Sequence, residues 1–328
     1  MDAARLHGPH DVRVAREAVP VPGPGEELVR VTTVGLCGSD LHWFADARIG
    51  ATVLGDPLVL GHEAVGVIAA GPRRGMRVAL EPAAPCGACA TCREGRGWLC
   101  PSGRFAGHAP VDGALRELMA WPAELLVPLP DTIGDPDAAL LEPLGVALHA
   151  LDLASVAPGM SAAVVGCGPI GLLIIRALRA AGVNSIDATD PLEHRLRAAA
   201  DSGATAVTAA DAAGDVDVAF DASGEPDAVA AAVMAARPAG RVVLVGITGS
   251  EVTAFPAATA RRKELTLIVC RRMTAGDLPR AIELVADGRI QLDGLVNAQF
   301  SLAEAPTAFA ALAERRGLKV VVRPGAAP

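Results

Sequence analysis

Apolar and polar positions divide the chain into two textures. Up to about residue 145 the apolar residues come in short alternating runs, such as ELVRVTTVG and EAVGVIAA, separated by turn-dense stretches such as VPVPGPGE. That pattern predicts a β-rich lobe with its chemistry on loops. DGALRELMAWPAELLVPLPD predicts a strand and then a proline-punctuated segment, and ALLEPLGVALHALDLA predicts a helix. From Ser161 onward, apolar strands alternate with alanine-rich helices: SAAVV, NSIDATD, VDVAFDAS, GRVVLVGI and ELTLIVC read as strands, PDAVAAAVMAA as a helix. This succession predicts a doubly wound parallel sheet. The last segments, DLPRAIELVADGRI, FSLAEAPTAFAALAERRG and LKVVV, read helix, helix, strand and are expected to return to the first lobe. The fold class is therefore α/β, a β-rich domain plus a doubly wound one, with no internal repeat.

Bulk properties narrow the possible functions. A chain of 328 residues is long enough for two separate cores. A net charge of -8 and a pI near 5.4 leave no basic footprint for nucleic acid. The longest apolar run, Ser161 to Leu178, is interrupted by glycines, Pro169 and Arg176, so no membrane span is expected. Tyrosine is absent, which excludes a catalytic phenol. The start, MDAARLHGPHDVRV, lacks the apolar core of a signal peptide, and seven cysteines in such a chain suggest metal binding before disulfides. A cytoplasmic protein is expected.

Candidate chemistry concentrates between Gly35 and Glu63. Cys37, His62 and Glu63 are a thiol, an imidazole and a carboxylate, the donors zinc accepts. Ser39 and His42 follow the thiol closely, as a proton path requires. Further on, Cys86, Cys89, Cys92 and Cys100 have the spacing Cys-x2-Cys-x2-Cys-x7-Cys, which can wrap a tetrahedral ion and close its shell. Such a knot is structural; four unrelated thiols or two disulfides are the alternatives. Glu142 stands at a helix start, where a lone glutamate is more often a solvated cap. Gly166, Gly168 and Gly171 form a G-x-G-x-x-G turn between an apolar strand and a helix, with Asp190 nineteen residues past Gly171 at the end of the next strand. In that context the triad binds a dinucleotide pyrophosphate at a helix N-terminus, and the acid favours NAD over NADP, with Arg195 nearby. Arg271 and Arg272 follow the strand ELTLIVC, where a solvated turn is the commoner reading. Cys167 and Cys270 read as packing residues, and His7, His10, His149 and His194 have no evident partner.

The motifs GLCGSDLH, ARIG, LGHE, the four-cysteine knot, PVDGALRE, LEPLGVALHA, GCGPIG and ERRGLKVVV resemble the zinc-dependent medium-chain dehydrogenases, most of all the sorbitol/xylitol (polyol) dehydrogenases, nearly end to end. The resemblance implies a GroES-like catalytic domain from residues 1–145 and 272–328, with a structural zinc lobe at 83–103, and a Rossmann NAD-binding domain at 146–271. It implies two zinc ions per chain, one held by Cys37, His62 and Glu63 with Glu142 as a ligand or holder of water, the other by Cys86, Cys89, Cys92 and Cys100. It makes Ser39 and His42 a proton relay and assigns the cofactor to Gly166, Gly168, Ile170, Gly171, Asp190, Arg195, Val245 and Arg271. Trp43, Arg271 and Arg272 fall in the substrate pocket, where Trp43 and Arg272 replace usual tyrosines; His108 and Met76 are further departures. The implied reaction is reversible NAD-linked oxidation of a secondary hydroxyl of a small-molecule alcohol, by a homodimer or homotetramer. An amino-cyclitol, a sugar acid or another specialised secondary alcohol is an alternative substrate. An NAD-binding redox sensor with one structural zinc is the alternative outside catalysis.

Overall fold

In the computed structural model, residues 1–208, 214–250 and 252–325 are described. Residues 326–328 of the expected catalytic domain, and 209–213 and 251 of the expected nucleotide-binding domain, lie outside the described residues. Two compact units divide the chain: Met1–Glu142 with Thr274–Ala286 and Leu292–Pro328, and Pro143–Met273 with Asp287–Gln291.

The first unit is built around the ten-residue strand Glu26–Gly35. Its valines bury alternately, and a register shift between Val31 and Thr33 lets Thr33 and Val34 both reach 0% exposure. The strand runs antiparallel to Glu63–Ile68 and Leu118–Pro122, and its last residues pair with Lys319–Arg323 from the other end of the chain. The full seven-stranded sheet also includes Leu126–Pro128, Arg77–Leu80 and Val296–Ser301. Strands Asp11–Arg16, Asp2–Gly8 and Leu58–Val59 form a second, three-stranded sheet. The core includes Leu6, Leu36, Trp43, Leu60, Met119, Trp121 and Phe309. One element escaped the sequence reading: Val296–Ser301 is a strand, and the helix expected from FSLAEAP onward starts only at Ala305. The strand is an edge whose sequence, VNAQFS, does alternate apolar and polar residues, with Asn297 and Gln299 exposed; read together with the alanine-rich segment that follows, its last two residues fall to the expected helix.

The second unit holds six parallel strands in the order Ala206–Thr208, Ser185–Thr189, Ser161–Val165, Val216–Asp221, Ala236–Leu244, Thr266–Val269. Helices Pro169–Ala180, Glu193–Asp201, Ala228–Ala235 and Ala257–Lys263 lie between successive strands along the chain. The order reverses at Ser161–Val165, the switch point beside which doubly wound sheets bind ligands. Val164 and Leu172 to Ile175 are fully buried, which fixes the first strand against the first crossover helix.

Candidate functional site

Three donors converge in the first unit: ligand atoms of Cys37, His62 and Glu63 all lie within 4.8 Å of one another. Each is placed by a separate local device. Cys37 is the N-cap of the helix Gly38–Asp46, and its backbone N–H donates to Asp40 Oδ2 at 2.9 Å, closing a capping box. Asp40, 1% exposed, turns its other oxygen to the Gly61 N–H at 3.3 Å and to His62 Nδ1 at 3.7 Å. One buried carboxylate thus ties the thiol's loop to the backbone just before His62 and faces the imidazole. Glu63 begins the strand Glu63–Ile68 opposite Gly35 and is ion-paired to Lys319, which is itself 2% exposed. Gly35 is required here. A methyl group on it would collide with the Glu63 carboxylate and come within 2.8 Å of Lys319 Cε.

The electrostatics of this pocket call for a cation. Burial pushes the Cys37 thiol up to about 12, with Glu63 adding to the rise. Burial likewise raises Glu142 to about 8, reinforced by Glu63 and Glu81 and opposed by His62 and Lys319. Glu142 is 7% exposed, so it is no solvated cap, as its position alone suggested. Asp40 is also raised, chiefly by burial. Several acidic groups share one desolvated site with few positive neighbours. A divalent ion that takes thiolate, imidazole and carboxylate fits this donor set. Asp40, Lys319 and Glu81 escaped the sequence reading. Signals existed for two of them: Asp40 stands three residues after Cys37, as a capping box requires, and Lys319 is one of only two lysines in the chain.

On the helix Gly38–Asp46, Ser39 and His42 are half-buried and three residues apart, on one face. Trp43, expected in the substrate pocket, is 1% exposed and belongs to the core. Its ring meets that of His108 edge-on, with centroids 5.4 Å apart. The ring of Phe105 meets that of His62 at a tilt, with centroids 5.3 Å apart.

The four sulfurs of Cys86, Cys89, Cys92 and Cys100 also lie within 4.8 Å of one another, and all are free thiols. Their loop is closed by a pairing of Ala83–Ala84 with Arg104–Phe105. Backbone N–H groups point at the sulfurs: Cys86 N–H donates to Cys100 Sγ and Cys92 N–H to Cys89 Sγ, each at 3.4 Å. N–H groups of Ala88 and Cys89 bring the Cys86 thiol down to about 6. Amides thus favour thiolates at Cys86 and Cys89, while burial and the neighbouring sulfurs push Cys92 up to about 12, a crowding of sulfurs that a bound ion offsets.

In the second unit the glycine turn joins Ser161–Val165 to Pro169–Ala180, with Gly168 as N-cap and Pro169 opening the helix. Gly166 has φ +94°, and a methyl group on Gly171 would strike the Gly166 carbonyl, so the turn closes only with glycines at both places. Gly168 and Ile170 are half-buried at its mouth. Asp190, 4% exposed, accepts the Cys167 N–H at 2.8 Å and the Leu192 N–H at 2.9 Å, and Arg195 approaches it at 3.7 Å. Val245 is half-buried and donates its N–H to the Asp221 carbonyl at 2.9 Å. Asp221, which the sequence reading missed, caps the next turn by accepting the N–H groups of Ser223 and Gly224 at 3.0 and 3.2 Å. Arg271 is exposed; Arg272 is half-buried and takes a left-handed backbone, φ +59°. Two histidines without an evident partner in the sequence do have one: His10 packs edge-on to Phe44 at 4.8 Å, and His149 is buried and engaged. Among the described residues no helix is long and apolar enough to cross a membrane.

Residues 23–131 match the alcohol dehydrogenase GroES-like domain and residues 169–287 the zinc-binding dehydrogenase domain. The chain is 37% identical over 340 residues to a probable D-xylulose reductase A of Neosartorya fischeri, covering 97% of this chain and 95% of that one. It is 34% identical over 345 residues to sorbitol dehydrogenase of Bacillus subtilis, with 99% and 97% covered. Among solved structures, L-idonate 5-dehydrogenase from Escherichia coli superposes with a TM-score of 0.91 at 29% identity, over 98% of this chain and 97% of that one. The chain belongs to the zinc-dependent medium-chain dehydrogenases, among the polyol dehydrogenases of that family.

Proposed function

We propose that this chain catalyses the reversible NAD-linked oxidation of a secondary hydroxyl of a polyol or sugar alcohol to a ketone. The observation that carries the reading is the Cys37–His62–Glu63 group, with His62 and Glu63 buried and Cys37 half-buried, whose three donors leave a tetrahedral ion an open position. Cys37, His62 and Glu63 would hold a zinc ion there, with Glu142 as a further ligand or as holder of a water. Zinc so held supplies a Lewis acid that makes a substrate hydroxyl more acidic, and bound NAD supplies the hydride acceptor.

The chain's own residues do the rest. Asp40 fixes His62 in one orientation, and Lys319 offsets the charge of Glu63. Ser39 accepts the proton leaving the substrate hydroxyl and passes it toward His42 on the same helical face. Gly166, Gly168, Ile170 and Gly171 shape the turn that receives the pyrophosphate, with Val245 and Arg271 as further cofactor contacts. Asp190 uses one lone pair of each oxygen on backbone N–H groups and keeps the others for ribose hydroxyls, which favours NAD and disfavours a 2′-phosphate. Arg195 flanks it. Arg271 and Arg272 are proposed at the substrate end.

Cys86, Cys89, Cys92 and Cys100 would hold a second, structural zinc. The relatives named above as a D-xylulose reductase and a sorbitol dehydrogenase supply the substrate class. A homodimer or homotetramer is proposed through the open edge strand Thr266–Val269, where Val269 is 76% exposed. Metal analysis together with a panel of polyols and cyclitols, each assayed with NAD and NADP, tests the reading. About two zinc ions per chain and turnover of a polyol with NAD are expected, and Cys37→Ser abolishes that turnover. One zinc per chain with cofactor bound but never reduced overturns the reading in favour of a sensor.

A further inference from the structure

The four cysteines of the knot carry only a structural ion in the reading above, yet their sulfurs are not equivalent. Cys86 is exposed and lies in the exposed run 85–88, whereas Cys89 and Cys92 are half-buried and Cys100 is buried. Gly87 takes φ +71°, and a methyl group on it would meet nothing within 4 Å, so the chain from Cys86 to Cys89 borders open space. The Cys86 N–H donates to Cys100 Sγ at 3.4 Å, and Cys89 Sγ lies 3.7 Å from Cys100 Sγ. All four sulfurs are within 4.8 Å of one another, so a disulfide of about 2.05 Å between two of them needs only a short local movement. Cys86 and Cys89 have the Cys-x-x-Cys spacing at which thiols and disulfides interconvert.

The knot is also tied to the Cys37–His62–Glu63 group. It is closed by the ribbon that pairs Ala84 with Arg104 and Ala83 with Phe105. Gly103, at the foot of that ribbon, is pressed between the two sides: a methyl group on it would come within 3.1 Å of the Ala84 carbonyl and 3.4 Å of Cys100 Cβ. On one strand, the Phe105 ring meets that of His62 at 5.3 Å. On the other, the Ala83 N–H donates to Glu81 Oε1 at 3.2 Å. The Arg104 guanidinium stands 5.4 Å over Trp121, whose Nε1 donates to the Glu81 carbonyl at 2.9 Å. Both strands of the ribbon therefore end on residues that border the site, and displacing Cys86 from Cys100 displaces them.

We propose that Cys86 is an oxidative modification site, at which a peroxide drives formation of a Cys86–Cys89 disulfide, empties the knot and lowers turnover through the ribbon. This rests on the reading that the knot holds a structural ion. The metal-bound sulfurs are thiolates, the form that peroxides oxidise, and the exposed one is reached first. The Cys86 thiolate attacks hydrogen peroxide: an S–O bond forms, the O–O bond breaks, and the departing hydroxide takes a proton from solvent. The Cys89 thiolate then attacks the Cys86 sulfenic acid: the S–S bond forms, the S–O bond breaks, and a second hydroxide is protonated to water. Two thiolates thus give up two electrons to one peroxide. The knot keeps two sulfurs for its ion, too few for a closed tetrahedral shell, and releases it. A dithiol reductant reverses the bond by exchange.

The test treats zinc-loaded wild type and Cys86→His with hydrogen peroxide. It follows zinc release with a colorimetric chelator, the cysteines by non-reducing peptide mass spectrometry, and NAD-linked turnover of the best polyol of the panel. A histidine keeps a fourth donor for the ion, as sites of three cysteines and one histidine do, but cannot enter a disulfide. In wild type, peroxide is expected to take the content from about two zinc ions per chain to about one. The peptide spanning 86–89 becomes lighter by two hydrogens, and turnover falls in step with release. A dithiol reductant with added zinc restores both. Cys86→His keeps its zinc and its turnover under the same treatment; if that variant fails to load its second ion, the wild-type peptide map decides alone. If Cys37 is the first cysteine oxidised, if a loaded Cys86→His is inactivated as fast as wild type, or if the disulfide forms while turnover is unchanged, the inference falls. A single zinc per chain before any peroxide is added, still present in Cys92→Ser, overturns the structural-ion reading itself, and the inference with it.

Discussion

Glu142 shows how far one residue's setting can depart from what its position suggests. A glutamate one residue into a helix start is ordinarily solvated, yet here it is buried among Glu63, Glu81 and His62 and titrates near 8. In the metal-free protein, its folded-state value lies above the ordinary 4.5, so its contribution to stability is fully present below about 4.5 and is lost as pH rises toward 8. Metal-stripped Glu142→Gln is therefore expected to melt progressively higher relative to stripped wild type between pH 5 and pH 8. An equal offset at both ends of the range, measured by calorimetry, would mean that Glu142 is already ionised. The donors Cys37, His62 and Glu63 were legible in the sequence because their residue types are uncommon in that combination. Asp40 and Lys319 left only faint traces, a capping-box spacing and a rare residue type, because their roles toward His62 and Glu63 exist only once a helix N-terminus and two strands from opposite ends of the chain have come together.

At the scale of elements, the four-cysteine loop and the glycine turn were readable for the same reason: each is a short segment whose function depends on spacing within it. The seven-stranded sheet was less so. Its edge strand Val296–Ser301 alternates apolar and polar residues over only six positions, too short a run to outweigh the alanine-rich helix that follows until its parallel partner Lys319–Arg323 is in place. The knot's independence leads to a prediction. Cys92→Ser is expected to reduce zinc from about two ions per chain to about one, since a structural site can contribute roughly 10 kcal/mol of local folding energy. Limited proteolysis of the variant should then cut between residues 86 and 100, while the ion proposed at Cys37, His62 and Glu63 is retained. Loss of both ions together would mean that the knot and the Cys37 group fold as one element.

For the whole molecule, one sheet edge and one pairing of distant segments matter most. Among the described residues, Thr266–Val269 ends the six-stranded sheet with an unpaired edge, and Val269 is 76% exposed on it. A charge placed there guards such an edge against pairing. Val269→Lys is thus expected to convert the proposed dimer or tetramer to monomers in sedimentation or size-exclusion measurements, and unchanged mass would place the contact elsewhere.

The insertion of Lys319–Arg323 beside Glu26–Gly35 has a further consequence, for biosynthesis. Chains fold as they are made, beginning from the amino end, yet the sheet carrying Cys37 and Glu63 stays open until residue 323 has left the ribosome. The dinucleotide-binding unit, contiguous from Pro143 to Met273 apart from one short return, has all but five of its residues long before that. The nascent protein should therefore complete its cofactor-binding unit first, and the ion proposed at Cys37, His62 and Glu63 is held only once Lys319–Arg323 has been made and has paired.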